Sequence, residues 1–466
     1  RLGIKPLYYY LDDTKIIFSS EIKGILSSGL VEAKFNDLAI DEYLGNRYVR
    51  APYSFFKNIY QVNAGEMLRV DCKINVIKNF FWSLPKEFNN SSNYDEDQIE
   101  KKFKDQILKA IKYRLISDVS LGTYLSGGVD SSLITAIAAK EKGPGLNTFT
   151  IGFDELNEFP YAKLVSEQYA TDHHEILIKE DDYLKKWEEL IYFKDSPLGV
   201  PNEIPLAIMS EKLKEMITVV LSGEGADELM GGYGKIFRLP FDYDNHKIKS
   251  SFYDYFIKNY EYVPRIIRDK FLNVSKKYRN EFDSKLKMEF DKNSNEKNVF
   301  HFFHKFHVKG LLQRVDMTTM QTSVEARVPF LDHNLIEFSY KEIPYDLKLK
   351  WNENISLNLI KKLKSFDYSE KFDTPKYLLR KISYNYLPRD VIERKKVGFP
   401  VPLNSWFNNI EDMAKDRLRG VNWIKKAKLD DLIDACKTDQ RSMQLIWMFI
   451  NIQMFEKKYF CKKWTW

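Results

Sequence analysis

Between residues 120 and 222 short apolar runs alternate with helical stretches, and that alternation narrows the architectures open to the chain. The runs are Gly122 to Leu125, Asn147 to Phe153, Glu175 to Ile178 and Ile217 to Leu221, with helical patterns near 131–140, 159–170 and 205–215. Strands covered on both faces read as unbroken apolar runs, and parallel neighbours need a long crossover that is usually a helix. The expected fold is therefore α/β, a parallel sheet with helices on both faces. Beyond residue 250 the chain reads as mostly helical, in aromatic-rich periodic segments without an internal repeat.

The start of the chain has a different rhythm. Leu7 to Leu11 and Lys15 to Ser19 flank a turn at Asp12, Asp13 and Thr14, and a helix follows from Glu21 to Leu26. Glu66 to Val70 and Asn75 to Trp82 read as a second hairpin. The polar stretch from Lys86 to Asp97, with Asn89, Asn90, Ser91, Ser92 and Asn93 in a row, sets the expected boundary. Residues 1–90 form one β-rich unit and 91–466 a second. The second opens with a helix bearing Ile99, Phe103, Ile107 and Ile111 on one face.

Bulk properties exclude several functional classes. No apolar run reaches the ~18 residues needed to span a bilayer, so no membrane partner is expected. The net charge of +6 arises from 72 basic residues mixed among 66 acidic ones, which argues against a nucleic-acid surface. Cys72, Cys436 and Cys461 have no metal-ligand spacing and suit a reducing, cytoplasmic setting. His301, His304 and His307 fall three apart on an expected aromatic helix, yet no acidic or cysteine ligand accompanies them. They, Phe302, Phe303 and Phe306 read as packing residues, as do His173, His174 and Glu175 leading into a strand.

Two segments carry chemistry. Ser126-Gly127-Gly128-Val129-Asp130-Ser131-Ser132 follows the strand ending at Leu125 and opens a helix. Its glycines let the backbone approach an anion, and the free N–H groups of a helix start supply donors for phosphate. The Gly-Lys-Ser/Thr ending of a Walker loop is missing, so the natural reading is a pyrophosphate leaving group and not γ-phosphate transfer. The second segment runs from Ser222 to Tyr233 (SGEGADELMGGY), again after an expected strand. Glu224 and Asp227 stand among glycines, as carboxylates do when presented to a metal or substrate. Asp130 and Asp227 are candidates to share Mg²⁺ on pyrophosphate.

These strings, with Ser323 to Asp332 (SVEARVPFLD) and Arg394 to Pro400 (RKKVGFP), closely resemble the class II, glutamine-hydrolysing asparagine synthetases. The opening RLGIKPLYY resembles the last part of that family's N-terminal glutaminase domain. The resemblance implies a parallel-sheet ATP-pyrophosphatase (PP-loop, adenine nucleotide alpha hydrolase-like) domain with a helical C-terminal part, preceded by the β-rich tail of an Ntn-type glutaminase. It implies that Ser126, Gly127, Gly128, Asp130, Ser131 and Ser132 hold the pyrophosphate of ATP. Leu125 and Ile151 would border adenine, with Ser222 and Gly223 nearby. Glu224 would position the substrate and help remove a proton from ammonia, and Lys396 would stabilise charge on phosphorus. Asp130 and Asp227 match the Mg²⁺ positions. The implied partners are small molecules (ATP, aspartate or another carboxylate, and ammonia or glutamine), and the assembly the resemblance allows is a homodimer.

The family's cysteine nucleophile and glutamine-binding groups lie upstream of the segment matching Arg1, so glutamine hydrolysis is not expected from the sequence as it stands. Two other readings compete. The scaffold amidates a different carboxylate, such as a uronic-acid sugar of a surface polysaccharide, or it is a binding protein that has lost catalysis. Intact Asp130, Glu224, Asp227 and Lys396 weigh against the latter.

Overall fold

The computed structural model describes residues 1–461 apart from 155, 354, 396–400, 408, 409 and 437. At the start, β1 (Tyr8–Leu11) pairs antiparallel with β2 (Ile16–Ser19) and, on its other edge, with β3 (Ile59–Gln61). The first turn closes because the Asp12 carboxylate accepts from the backbone N–H groups of Thr14 and Lys15, at 2.8 and 3.0 Å. β4 (Glu66–Val70) and β5 (Val76–Phe80) make the second hairpin, where Asp71 accepts from Lys73 and Asn75 in the same manner. Both hairpins match the sequence pattern.

The helix Glu96–Arg114 begins at Asp95, whose side chain caps it by accepting from Gln98 N, and it buries Ile99, Phe103, Ile107 and Ile111 as expected. A five-stranded parallel sheet follows: β6 (Leu121–Tyr124), β7 (Asn147–Gly152), β8 (Asp172–Leu177), β9 (Val219–Leu221) and β10 (Glu325–Arg327). Their order is β10-β9-β6-β7-β8. The chain moves outward from β6 to β8 through the helices Val129–Lys142 and Phe159–Tyr169. It then crosses through the helices Glu180–Lys194 and Glu203–Lys214 to place β9 on the opposite side of β6. Such a reversal leaves a crevice beyond the carboxyl ends of the two diverging strands, where open α/β sheets bind ligands. Val219 and Leu221 enter one core cluster while Val220, between them, enters another with Phe149, Met209 and Val315. Helices therefore cover both faces.

β10 is an addition to the sequence reading. Val324, Ala326 and Val328 alternate with Glu325 and Arg327, a strand-like pattern that the sequence reading does not use. Pairing with β9 fixes it, with Glu325 opposite Val219 and Arg327 opposite Leu221. A further correction falls on the histidine stretch, expected as one regular helix. After the helix Asn295–Phe302 the chain makes a π turn over Phe303–His307. His301 contacts Pro85 O at 3.1 Å, His304 lies 3.0 Å from the Tyr340 hydroxyl, and His307 lies 3.0 Å from that of Tyr260. Phe302 and Phe303 are buried in the main core.

Another core joins residues far apart in the chain. Tyr8, Ile25, Tyr43, Phe55 and Phe56 pack with Trp187 and Leu190 and with Trp447, Phe449 and Phe455 of the helix Gln440–Phe460. Phe56 meets Phe455 and Tyr459 edge to face at centroid distances of 5.5 and 5.1 Å. Lastly β11 (Leu349–Trp351) and β12 (Asp373–Pro375) form an antiparallel ribbon that delivers the chain to Lys376 and the helix Tyr377–Ser383. No helix among the described residues is long and apolar enough to cross a membrane.

Candidate active site

The loop after β6 is shaped by its own hydrogen bonds. Leu125 N donates to Phe149 O at 2.9 Å and prolongs the strand by one residue. The chain then turns through Gly127, whose φ of +69° suits glycine; a Cβ there would stand 2.6 Å from the Tyr161 Cβ. Ser126 N donates to the Ser131 hydroxyl at 3.1 Å, and that hydroxyl donates to Gly128 O at 3.2 Å. The helix Val129–Lys142 starts here with Asp130 in its first turn.

The loop after β9 lies alongside. Ser222 N donates to Arg327 O at 2.8 Å, which carries the pairing with β10 past the strand end. At Gly223 the two loops touch, since a Cβ there would be 3.2 Å from both the Asp130 Cβ and Ser131 N. Parallel pairing of β6 and β9 brings the two loops into contact.

Between them opens a cavity of about 300 Å³. Leu125, Ser126, Gly128, Asp130, Ser131 and Ile151 line it from the β6 and β7 side, and Ser222, Gly223, Glu224 and Asp227 from the β9 side. Gly127 and Ser132 are not among its lining residues. Gly127 serves the turn, and Ser132 is fully buried with its hydroxyl unpaired. Lys396 lies outside the described residues.

One cation unites the two carboxylates. The Lys376 ammonium sits 2.9 and 2.8 Å from the Asp130 oxygens and 2.9 Å from Asp227 Oδ1. Asp130 and Asp227 thus converge on a single point that holds positive charge. Burial opposes the charge on Lys376, but the two carboxylates outweigh it and raise its pKa above the ordinary lysine value. Among the described residues no group of three His, Cys, Asp or Glu side chains forms a metal cage. Two carboxylates facing this cavity nevertheless fit the kind of donor set that Mg²⁺ takes, in which phosphate oxygens and water supply the remaining ligands.

Glu224 accepts from Arg314 at 2.8 Å, and Arg314 rises from the helix Val308–Met320 into the cavity wall. Burial works against the Arg314 charge, while Glu224 and then Glu203 overcome it and raise its pKa. Across the cavity Arg394 pairs with Glu158 at 2.5 Å. Burial pushes the Glu158 carboxyl up, with Arg394 pulling the other way. Glu228, next to Asp227 but turned inward, is pushed up to about 8 by burial and by the charges of Asp227 and Glu224.

Residues 102–457 match the profile of the family described as asparagine synthase. The chain belongs to the asparagine synthase family. Residues 1–82 match a glutamine amidotransferase domain. Asparagine synthetase [glutamine-hydrolyzing] 1 of Bacillus subtilis is 28% identical over 98% of this chain and 75% of its own length. A putative asparagine synthetase [glutamine-hydrolyzing] 2 of Methanocaldococcus jannaschii is 37% identical over 50% of this chain and 46% of its own. The chain is also similar to amidase chyE of Penicillium rubens, at 24% identity over 96% of this chain and 74% of that protein. As an asparagine synthase family member it is an ATP-using carbon–nitrogen ligase.

Around this candidate site stand four charged residues to which the sequence reading assigns no role. Lys376 follows a proline in an unremarkable lysine-rich stretch, Arg314 is one arginine on an amphipathic helix, and Glu158 and Arg394 pair only through the fold. Arg394 alone belongs to a string singled out from the sequence, where it is given no role of its own.

Proposed function

We propose that this chain adenylates aspartate and transfers ammonia to the activated carboxyl, giving asparagine, AMP and pyrophosphate. The observation that carries the reading is the convergence of Asp130 and Asp227, from two neighbouring strand-end loops, on one cationic position beside a nucleotide-sized cavity. In the proposed assignment Ser126, Gly128, Asp130 and Ser131 face the phosphates, with Gly127 and Ser132 shaping the loop behind them. Leu125 and Ile151 flank adenine near Ser222 and Gly223. Mg²⁺ held by Asp130 and Asp227 would neutralise charge on the phosphates.

A carboxylate resists ammonia because its leaving group would be oxide. When an oxygen of the acceptor carboxylate bonds to the α-phosphorus and the bond to the bridging oxygen of pyrophosphate breaks, the leaving group becomes AMP. Lys396 is the residue proposed to meet the charge that builds on phosphorus. Ammonia nitrogen then bonds to the acyl carbon, the bond to the AMP oxygen breaks, and Glu224 takes the surplus proton. Arg314, donating to Glu224 at 2.8 Å, holds that carboxylate in orientation for this. The division at residue 90 is retained as part of the proposal and is supported by its falling between the two matched stretches.

A second reading is that the acceptor is another carboxylate. It is favoured by the amidase-named relatives and by the apolar Leu206, Met209 and Val315 in the cavity wall. ATP–pyrophosphate exchange with aspartate and with a panel of other acids tests both. Exchange dependent on aspartate supports the first reading, and silence with aspartate alongside exchange with another acid replaces it by the second.

A further inference from the structure

Lys376 reaches the two carboxylates from an unusual backbone. Its φ is +55°, the left-handed region, at the residue that caps the helix Tyr377–Ser383. A lysine there persists only when its surroundings over-determine it. On one side Lys376 N donates to Met230 O at 3.2 Å, which ties it to the end of the short helix bearing Asp227.

The other side is held by a charged clamp outside the cavity. Glu96, the first residue of the helix Glu96–Arg114, accepts from the Tyr377 hydroxyl at 2.8 Å, from Lys381 at 2.9 Å and from Lys350 at 2.9 Å. Lys350 in turn donates to the Tyr377 hydroxyl at 3.0 Å and lies 4.2 Å from the centre of its ring. Lys381 is shared with Glu100 at 2.8 Å. One carboxylate therefore gathers the residue after Lys376, the next turn of its helix and β11, the partner of the β12 strand that leads into Lys376. Burial would raise the Glu96 carboxyl, but Lys381, Lys350 and Tyr377 hold it down at about 2, so the clamp is charged at any working pH.

We propose that Glu96 is a positioning residue for the nucleotide site, acting through Tyr377 and Lys381 to fix the strained Lys376 so that its ammonium meets both Asp130 and Asp227. The inference rests on the reading of Lys376 as part of the phosphate-binding machinery. The partners of Glu96, Tyr377, Lys381 and Lys350, are not among the residues that line the cavity. The effect of Glu96 on nucleotide binding passes through the backbone of residue 376 and vanishes when the lysine itself is gone.

Calorimetric titration of Mg·ATP onto the full chain tests this, with thermal unfolding recorded for each protein. The set comprises wild type, Glu96→Gln, Tyr377→Phe, Lys376→Met and the double variant Glu96→Gln/Lys376→Met. Glu96→Gln is expected to weaken ATP by about 10- to 100-fold, the usual cost of removing a partner that orients a binding group. In the Lys376→Met background the same substitution is expected to change ATP affinity no further while still lowering the melting temperature. A purely structural role would cost the same factor in both backgrounds, and that result overturns the proposal, as does unchanged affinity in Glu96→Gln. Should Glu96→Gln fail to fold, Tyr377→Phe, which removes one hydroxyl, carries the same comparison. Lys376→Met binding ATP as wild type does would instead overturn the phosphate-site reading of Lys376, an outcome separate from the others.

Discussion

Replacing Gly127 by alanine tests the proposed nucleotide loop at its tightest point. The added Cβ would stand 2.6 Å from the Tyr161 Cβ and 2.8 Å from Ala162 N, whereas ordinary contact begins at 3.4 Å. Relief requires a separation of about 0.8 Å between the loop and the start of the helix Phe159–Tyr169, and a misplacement near 1 Å at a reacting centre costs roughly 100-fold in rate. The left-handed backbone adds about 1–2 kcal/mol of instability by itself. Gly143, at the far end of the helix Val129–Lys142 that the loop opens, is the control, because it also has positive φ (+86°) yet nothing lies within 4 Å of its would-be Cβ. Both alanine variants should therefore melt lower, while only Gly127→Ala should lose ATP–pyrophosphate exchange, by about 100-fold. Equal exchange in the two variants, or full exchange in Gly127→Ala, would refute the claim that the 126–132 loop must sit where it does.

Three more outcomes follow from individual residues. Lys396→Ala should depress kcat about 100- to 1000-fold with little change in ATP affinity, as expected of a contact made in the transition state, and parallel loss of ATP binding would reassign the lysine to the ground state. Glu224→Gln should retain pyrophosphate exchange and lose most amide formation, so measuring the two half-reactions separately exposes a role in adenylation if exchange collapses as well. His301 is held down at about 4 by burial, below its ordinary 6.5, so the folded chain binds fewer protons than the unfolded chain between those values. The stability it contributes is present above pH 6.5 and is lost as pH falls towards 4; denaturant midpoints for His301→Gln should run flatter across that window than for wild type.

What the sequence made legible was what depends on near neighbours. The Ser126–Ser132 loop, the hairpin closed by Asp12 and the helix bearing Ile99 to Ile111 are each set by residues a few positions apart. Their patterns survive in one dimension. β10 left only a brief alternation of Val324, Ala326 and Val328 with Glu325 and Arg327, and its place in the sheet is set by pairing with the distant β9. Lys376 was hidden for a related reason: its meaning is the meeting of Asp130, Asp227 and a left-handed turn that come from three separate stretches. The pairing of Glu224 with Arg314 likewise spans the β9 loop and a helix some ninety residues on. Local chemistry announced the two loops, and only folding revealed the cations that answer them.

The shared aromatic core has a consequence for biosynthesis. Phe55 and Phe56 leave the ribosome early, but Phe455 and Tyr459, which cover them, are translated roughly 400 residues later, about 20 to 80 s at ordinary elongation rates. Throughout that interval the phenylalanines lack the cover that Phe455 and Tyr459 supply, with Tyr43 and later Trp187 and Leu190 supplying only part of the core. A nascent chain of this kind is a natural client for a ribosome-associated chaperone, and premature termination within the last helix should send the product to aggregation or proteolysis even with every residue of the nucleotide cavity in place.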